Sequence, residues 1–184
     1  NSNWFFNGTS TQFAATGETV LFDDTATAVG SDVVDITAAD VTPVGVTFAN
    51  TTAKSYTLTS STGNGIAGTA GMVKNGNGTV TILNTNTATG TTTINGGTLR
   101  IGDGTTDGSI ASASVVNNAS LVFNVAGAPT FAGSISGSGT LTKQGVGTLT
   151  LSNASVGCAG GTVVSQGTLL ANASGLSAGP ISIA

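Results

Sequence analysis

The sequence predicts an all-β protein, a β-solenoid in which short coils stack into a parallel β-helix rod. The first observation is composition: 52 of 184 residues are serine or threonine, 28 are glycine and only 7% are charged. The second is that hydrophobic residues still reach 39%, enough for a core that a disordered chain lacks. The third is the abundance of strand formers, since glutamate and methionine occur once each while threonine, valine and isoleucine are common.

Residues 1–66 are predicted to form strands of a different character from the rest. They hold Trp4, Tyr56 and five of the seven phenylalanines. Residues 1–40 carry a net charge of −6 with no base, and the remainder carries +2. We expect either divergent early coils of the same rod or an aromatic-filled cap, with a boundary near Gly63–Gly68. The strand-like runs are 4–6, 19–22, 33–36, 44–48 and 55–58.

Residues 67–184 contain a long internal repeat, which indicates a stacked architecture. Residues 74–82 (KNGNGTVTI) match 143–151 (KQGVGTLTL) at an offset of 69, and 92–99 (TTINGGTL) match 162–169 (TVVSQGTL) at an offset of 70. A looser match sets 114–116 beside 180–183. The unit occurs twice, with the second copy incomplete. Divided among about three strand-bearing segments, it predicts coils of roughly 23 residues and about eight coils in all.

Within the repeats the strands alternate with a period of two. Leu149 and Leu151 fall on one face, and Thr148 and Thr150 fall on the other. Glycine and asparagine follow each strand and can turn the corners, because both tolerate positive φ. Since one coil cannot bury its apolar face or pair its strands alone, only a stack is stable.

The repeats resemble a known family. Residues 137–151 (GSGTLTKQGVGTLTL) and 160–170 (GGTVVSQGTLL) are similar to the autotransporter-associated β-strand repeat, also called the passenger-associated transport repeat. Residues 17–24, 46–50 and 56–58 resemble the stretch that often precedes such repeats. The resemblance implies a bacterial secreted or cell-surface protein with a β-helical passenger and without catalytic residues. It is compatible with a fragment, a processed passenger or a separately secreted subunit.

The composition excludes several kinds of active site. Without histidine there is no Ser-His-Asp or Cys-His arrangement and no zinc site built from histidine and cysteine. The single Cys158 cannot form an internal disulfide. A net charge of −4 argues against nucleic-acid binding, and no apolar run is long enough to span a membrane. We therefore predict no enzymatic activity, no cofactor or metal, no nucleic-acid partner and no membrane insertion.

Other patterns in the chain are weaker. Residues 63–68 (GNGIAG) match a dinucleotide-binding glycine pattern, but no helix is predicted to follow. Asp103 and Asp107 have too few hard ligands around them for a calcium loop. Asp32 and Asp35 are an odd number of residues apart and should face opposite ways, which disfavours a carboxylate pair that cuts polysaccharide. We interpret these two and Asp40 as solvated turn or edge carboxylates.

Threonine pairs separated by one residue raise the hypothesis of a flat ice-binding face. All of them should point outward if the residue between each pair is core, but they do not recur at one constant spacing. Threonine as a soluble strand former is the simpler interpretation. The pairs are 57/59, 79/81, 91/93, 140/142 and 148/150.

The favoured function is a subunit of an extracellular or cell-surface fibre that assembles with itself, head to tail. Open strand edges are templates for further strands, and the acidic start and weakly basic remainder would favour such contacts. The alternatives are a monomeric adhesin-type passenger or stalk fragment, which would meet host or matrix ligands, and, less favoured, a polysaccharide-active or ice-binding solenoid. The candidate assembly residues are Trp4, Phe5, Phe6, Pro180, Ile181 and Ile183.

Overall fold

A computed structural model describes residues 4–6, 9–11, 17–25, 30–153, 155–171, 176 and 179–183. Every regular element in these residues is a β-strand, as the composition predicts. The strands are β1 Trp4–Phe6, β2 Thr9–Thr11, β3 Thr19–Phe22, β4 Gly30–Ile36, β5 Gly45–Phe48, β6 Lys54–Thr59, β7 Gly71–Lys74, β8 Thr79–Ile82, β9 Thr92–Ile94, β10 Thr98–Ile101, β11 Ser114–Asn117, β12 Ser120–Asn124, β13 Thr130–Phe131, β14 Ser134–Ser136, β15 Thr140–Gln144, β16 Thr148–Leu151, β17 Thr162–Val164, β18 Thr168–Ala171 and β19 Ile181–Ile183.

These strands lie in three sheets that form the faces of a solenoid. The first sheet has ten strands in the order β19-β17-β15-β12-β10-β8-β6-β4-β1-β2. The second has six in the order β14-β11-β9-β7-β5-β3, and the third has three in the order β13-β16-β18. In the earlier turns the third face has single parallel bridges in place of strands. The bridge of Val41 with Ile66 is an example, since Val41 lies between β4 of the first sheet and β5 of the second.

One turn of the chain passes through the second, first and third faces in that order. Thus β14, β15 and β16 follow one another, and Val156 then bridges back to Ile135 of β14. Eight strands of the first sheet, β4 to β19, run parallel, so about seven full turns separate the first from the last. At roughly 4.8 Å per turn the stack is on the order of 35 Å long. The predicted β-solenoid is confirmed.

The core is a set of ladders in which one residue of each turn stacks on its equivalent in the next. In the first sheet Val80 lies opposite Leu99, and Leu99 lies opposite Leu121. All three are 0% exposed, whereas the threonines beside them on β8 and β10 are half-buried. Each fully buried aliphatic side chain contributes about 1.5–3 kcal/mol, so this alternation stabilises the stack along its whole length.

The aromatic residues of the first turns fill the same core. Phe22 stacks on Phe48, with ring centroids 4.9 Å apart, and Tyr56 tilts against both rings. Strands β4 and β6 pair parallel with each other, and β6 pairs parallel with β8, so the first sheet runs without interruption past residue 66. The change at that point is therefore one of sequence character within a continuous stack.

The first sheet ends in an antiparallel pair at one edge. Strand β1 pairs antiparallel with β4, with Trp4 opposite Ile36, and β2 pairs antiparallel with β1. Strand β19 forms the opposite edge of that sheet. Among the described residues no helix is long and apolar enough to cross a membrane.

Candidate functional site

The repeated motif of the sequence builds a corner around a buried lysine. Lys74 ends β7, is 0% exposed, and its Nζ atom donates to the carbonyl oxygens of Asn75 at 2.5 Å, Gly76 at 2.9 Å and, one turn further on, Gly96 at 3.3 Å. Three donors on one ammonium thus satisfy three carbonyl groups at a corner, where the strands leave them unpaired.

Lys143 repeats this geometry in the second copy of the motif. It is also 0% exposed, and its Nζ atom donates to the carbonyl oxygens of Gln144 at 2.7 Å, Gly145 at 2.8 Å and Gln166 at 3.3 Å. The acceptors lie one, two and about 22 residues further along the chain in both copies. The lysine therefore closes its own corner and ties that corner to the following turn.

Glycine is required where the next turn crosses each lysine corner. Gly97 and Gly167 both adopt positive φ, of 66° and 72°. A Cβ atom on Gly97 would collide with the carbonyl oxygen of Gly78, and one on Gly167 with those of Gly145 and Gly147. The Gly-Thr-Leu sequence one turn after each lysine is therefore part of the same two-turn unit.

The environment of the two lysines shifts their ionisation. Burial lowers the pKa of Lys74 to about 8, from an ordinary value of 10.5. Burial also lowers the pKa of Lys143, and the nearby Asp107 carboxylate partly opposes that shift. Lys74 is therefore still mostly protonated at neutral pH, as its three hydrogen bonds to carbonyl oxygens require.

The two copies of the motif lie on different faces of the solenoid. Residues 74–82 run from β7 in the second sheet to β8 in the first, whereas residues 143–151 run from β15 in the first sheet to β16 in the third. The other two matches shift in the same way, from β9 to β17 and from β11 to β19. The long unit thus advances three turns and one additional face.

This displacement corrects the prediction that the unit divides evenly into coils of roughly 23 residues. Register partners in the repeat body are not evenly spaced, since Thr98 pairs with Thr79, 19 residues away, and Val115 with Thr92, 23 residues away. The physical reason is that a corner depends on its own lysine, glycines and carbonyl groups. It can therefore form at any corner of the stack.

Buried asparagines close other corners in a similar manner. Asn50 is 0% exposed, and its Nδ2 atom donates to the carbonyl oxygens of Lys54 at 2.7 Å and Thr79 at 3.2 Å. Asn117, also 0% exposed, donates to the carbonyl oxygen of Thr140 in the next turn at 3.0 Å. Both side chains link neighbouring turns, as the lysines do.

One of the acidic candidates is not solvated, which corrects the interpretation made from the sequence. Asp32 is 0% exposed and forms an ion pair with Lys54, with Oδ2 and Nζ 2.6 Å apart. Its position is in phase with Val34 and Ile36, which are also buried, and that phase was the signal available in the sequence. Asp35 faces the other way, as predicted, and accepts from the backbone N–H of Ser61 at 2.9 Å.

The remaining acids bind backbone groups of turns. Asp40 accepts from the N–H of Gly65 at 2.8 Å, and Asp103 accepts from the N–H groups of Thr105 and Thr106 within its own turn. Hydrogen bonds from Thr105 and Thr106 lower the pKa of Asp103. Asp107 accepts from the N–H groups of residues 126 and 127 in the next turn. In the described part of the chain no three acidic, cysteine or histidine residues group as a metal site would require.

The glycine pattern and the threonine pairs have structural explanations as well. Residues 63–68 precede strand β7 rather than a helix, so they lack the helix N-terminus that dinucleotide binding uses. The threonine pairs are exposed or half-buried and flank buried residues, as predicted. They are distributed over all three faces of the solenoid, for example 79/81 on the first sheet and 148/150 on the third, and so do not build one flat surface.

The candidate assembly residues lie at opposite edges of the first sheet. Trp4, Phe5 and Phe6 form β1, which pairs with β2 and β4 of the same chain. Pro180 precedes β19, in which Ile181 and Ile183 are 54% and 81% exposed. Both isoleucines stand in register with Thr162 and Val164 of β17. Whether either edge meets a second copy of the chain stays a prediction.

Comparison with known proteins supports the resemblance noted in the sequence. Residues 72–101 and 141–171, which contain the two lysine corners, match the family model of the passenger-associated-transport-repeat. Over 56 residues, 30% of this chain, the sequence is 61% identical to the Adhesin BmaC autotransporter of Brucella suis biovar 1 (strain 1330), and the matched part is 2% of that relative's length. No solved structure matches the chain. Two stretches of this chain therefore match the passenger-associated-transport-repeat, the repeat that the sequence resembles.

Proposed function

We propose that this chain is a structural segment of an adhesin-type passenger, a rigid stalk that stands at the cell surface. The observation that carries the proposal is the continuous stack from β4 to β19, in which lysine and asparagine corners tie several turns to the turns that follow them. The relative that shares 61% identity is named an adhesin, a binding role rather than a catalytic one. Host or matrix ligands would then be bound elsewhere in the passenger.

The proposal is tested on whole bacteria that express the parent protein. An epitope inserted at the exposed turn of residues 61–63 should be labelled by antibody without permeabilising the cells, because that turn lies on the outside of the stack. An identical epitope replacing residues 98–101, which include the buried Leu99, is the control that should disrupt the stalk. Labelling of the first insertion only after permeabilisation would contradict a surface location.

A second candidate function is a subunit of a fibre that grows head to tail. It is favoured by the exposed isoleucines of β19, whose register partners on β17 face the core side of the stack. An edge strand with unpaired backbone groups and apolar side chains can accept a further strand. In this case a second copy of the chain would cover β19 and continue the first sheet.

The fibre is tested by the mass distribution of the purified chain over a range of concentrations. If the chain forms a fibre, electron microscopy should show filaments that repeat with the length of one subunit and that lengthen as the concentration rises. Ile183→Lys should abolish these filaments, because it places a charge on the exposed β19 edge. Val146→Lys is the matched control, because Val146 is 69% exposed but lies in a corner. Monomeric rods at every concentration would contradict the fibre hypothesis and would be consistent with the stalk hypothesis.

A further inference from the structure

A lysine and an aspartate are enclosed together between two turns near the start of the stack. The Nζ atom of Lys54 lies 2.6 Å from Oδ2 of Asp32, and the side chains are 3% and 0% exposed. Lys54 begins β6 and Asp32 belongs to β4, its parallel neighbour in the first sheet. Both side chains face the core, since Asp32 is in phase with Val34 and Lys54 with the buried Leu58.

An aromatic ring that belongs to a larger aromatic cluster lies beside this pair. Tyr56 stands directly opposite Asp32 in the register of the two strands, and its ring centroid is 5.8 Å from the Lys54 Nζ atom. The ring of Tyr56 packs in turn against Phe22 and Phe48. A charge pair in such a place is costly, because the loss of hydration offsets much of its mutual attraction. The same enclosure favours any reaction that makes the pair neutral and releases water.

We propose that Lys54 and Asp32 condense to form an isopeptide bond between β4 and β6. A proton first passes from the ammonium to the carboxylate across the 2.6 Å contact, which leaves a neutral amine beside a carboxylic acid. The Nζ lone pair then attacks Cγ of Asp32. The C–O bond to the hydroxyl breaks, and the hydroxyl leaves as water with a second proton from the nitrogen. The products are one amide and one water molecule, with no oxidation or reduction.

Two features of the fold favour this condensation. The turns hold the nucleophile and the carbonyl carbon together, and fixing reactants in this way replaces a bimolecular encounter by an intramolecular step. Exclusion of solvent disfavours the reverse hydrolysis, and the neutral amide no longer carries the cost of two buried charges.

The bond would tie the first turns covalently, whereas the hydrogen bonds of the lysine corners tie turns of the repeat body. It would close a loop of the chain between residues 32 and 54, and cross-links of this kind limit the freedom of the unfolded state. A chain pulled from one end could then not separate β4 from β6. The inference concerns the chemistry of this pair and does not depend on the adhesin role.

The decisive experiment is the mass of the purified full chain and of its tryptic peptides after denaturation. Trypsin can cleave only after Lys54, Lys74, Arg100 and Lys143. If Lys54 is acylated, cleavage after it is blocked, and residues 1–74 should appear as one peptide lighter than its sequence by one water. Separate peptides 1–54 and 55–74, with an intact mass equal to that of the sequence, would overturn the proposal.

A second source of water loss is distinguished by the same digest. Asp103 and Asp107 precede glycines and could form succinimides, which also lose water, but that loss would fall in residues 101–143 and leave cleavage at Lys54 intact. Such a result would also overturn the proposal. The Lys54→Arg variant keeps the cation beside Asp32 and cannot condense in this way, so its peptide 1–54 should have the full sequence mass. If peptide 1–54 of this variant were still lighter by one water, the assigned bond would be rejected. The masses are measured after denaturation, so the test does not require that the variant fold.

Discussion

The ammonium of Lys74 reaches across to the next turn and donates to the carbonyl oxygen of Gly96 at 3.3 Å. Lys143 makes the equivalent bond to Gln166 at the same distance, although it lies on another corner of the solenoid. The repeated element of this protein is therefore a corner that spans two turns, with a lysine below and a glycine above. This relationship predicts how substitutions of the corner lysines and glycines change the free energy of unfolding.

Replacement of Lys74 or Lys143 by methionine should destabilise the chain by about 2–4 kcal/mol. Methionine fills a similar volume, but it removes the ammonium that donates to three carbonyl oxygens at the corner, and hydrogen bonds left unmade are costly. The measurement is urea unfolding with an unchanged m value. Thr69→Met on an exposed turn is the control and should stay within about 0.5 kcal/mol. Equal stability of all three variants would show that the lysine corners do not hold the turns.

Gly97→Ala should cost more than Gly63→Ala, although both glycines have positive φ, of 66° and 87°. At Gly63 a Cβ atom would meet nothing within 4 Å, so only the backbone penalty of about 1 kcal/mol applies. At Gly97 the added carbon would collide with carbonyl oxygens of the turn below, which must move. Thermal unfolding of the two variants compares these costs. A Gly97→Ala midpoint as high as that of Gly63→Ala would contradict the close approach of the two turns.

Much of this architecture could be predicted from the sequence, because strands with a period of two and glycine corners are local properties. The face on which each copy of the motif lies could not, since it depends on how many residues the intervening corners use. The ion pair is hidden for a different reason. Charge predicts exposed positions for Asp32 and Lys54, whereas their phase with Val34 and Leu58 places them among the core positions. The motif does not reveal its lysines as corner donors, because their partners are backbone groups.

Stability should rise between about pH 8 and pH 10. The folded pKa of Lys74, about 8, lies below its unfolded value near 10.5, so the unfolded chain binds more protons in this window. By that linkage the free energy of unfolding increases as the pH rises, and Lys143, with a pKa shifted in the same direction, adds to the increase. The rise should be smaller in Lys74→Met, which lacks the titrating amine. Denaturant midpoints across this range measure it, and a midpoint that falls from pH 8 to pH 10 would be the contrary result.

Above pH 10 the trend should reverse because of Tyr56. Burial raises the pKa of Tyr56 from 10.0 to about 12. The folded chain then holds the phenolic proton that the unfolded chain has lost, so stability decreases between these two pH values. Tyr56→Phe should weaken the decrease, at the cost of the hydrogen bond to the carbonyl oxygen of Asp23. The same denaturant midpoints, continued to pH 12, test this, and an unchanged decrease in the variant would assign it to another group.

The displacement of the repeat by one face is tested most directly by disulfide cross-linking in a chain whose Cys158 is replaced by alanine. Ser120 on β12 lies opposite Thr140 on β15 in the first sheet, and both residues are half-buried. The pair Ser120→Cys and Thr140→Cys should therefore oxidise readily, because register partners on parallel strands lie within disulfide range. If the repeat advanced by whole turns, Thr148, the counterpart of Thr79, would occupy the first sheet instead. The account predicts a cross-link between positions 120 and 140 and none between 120 and 148, and the opposite pattern would contradict it.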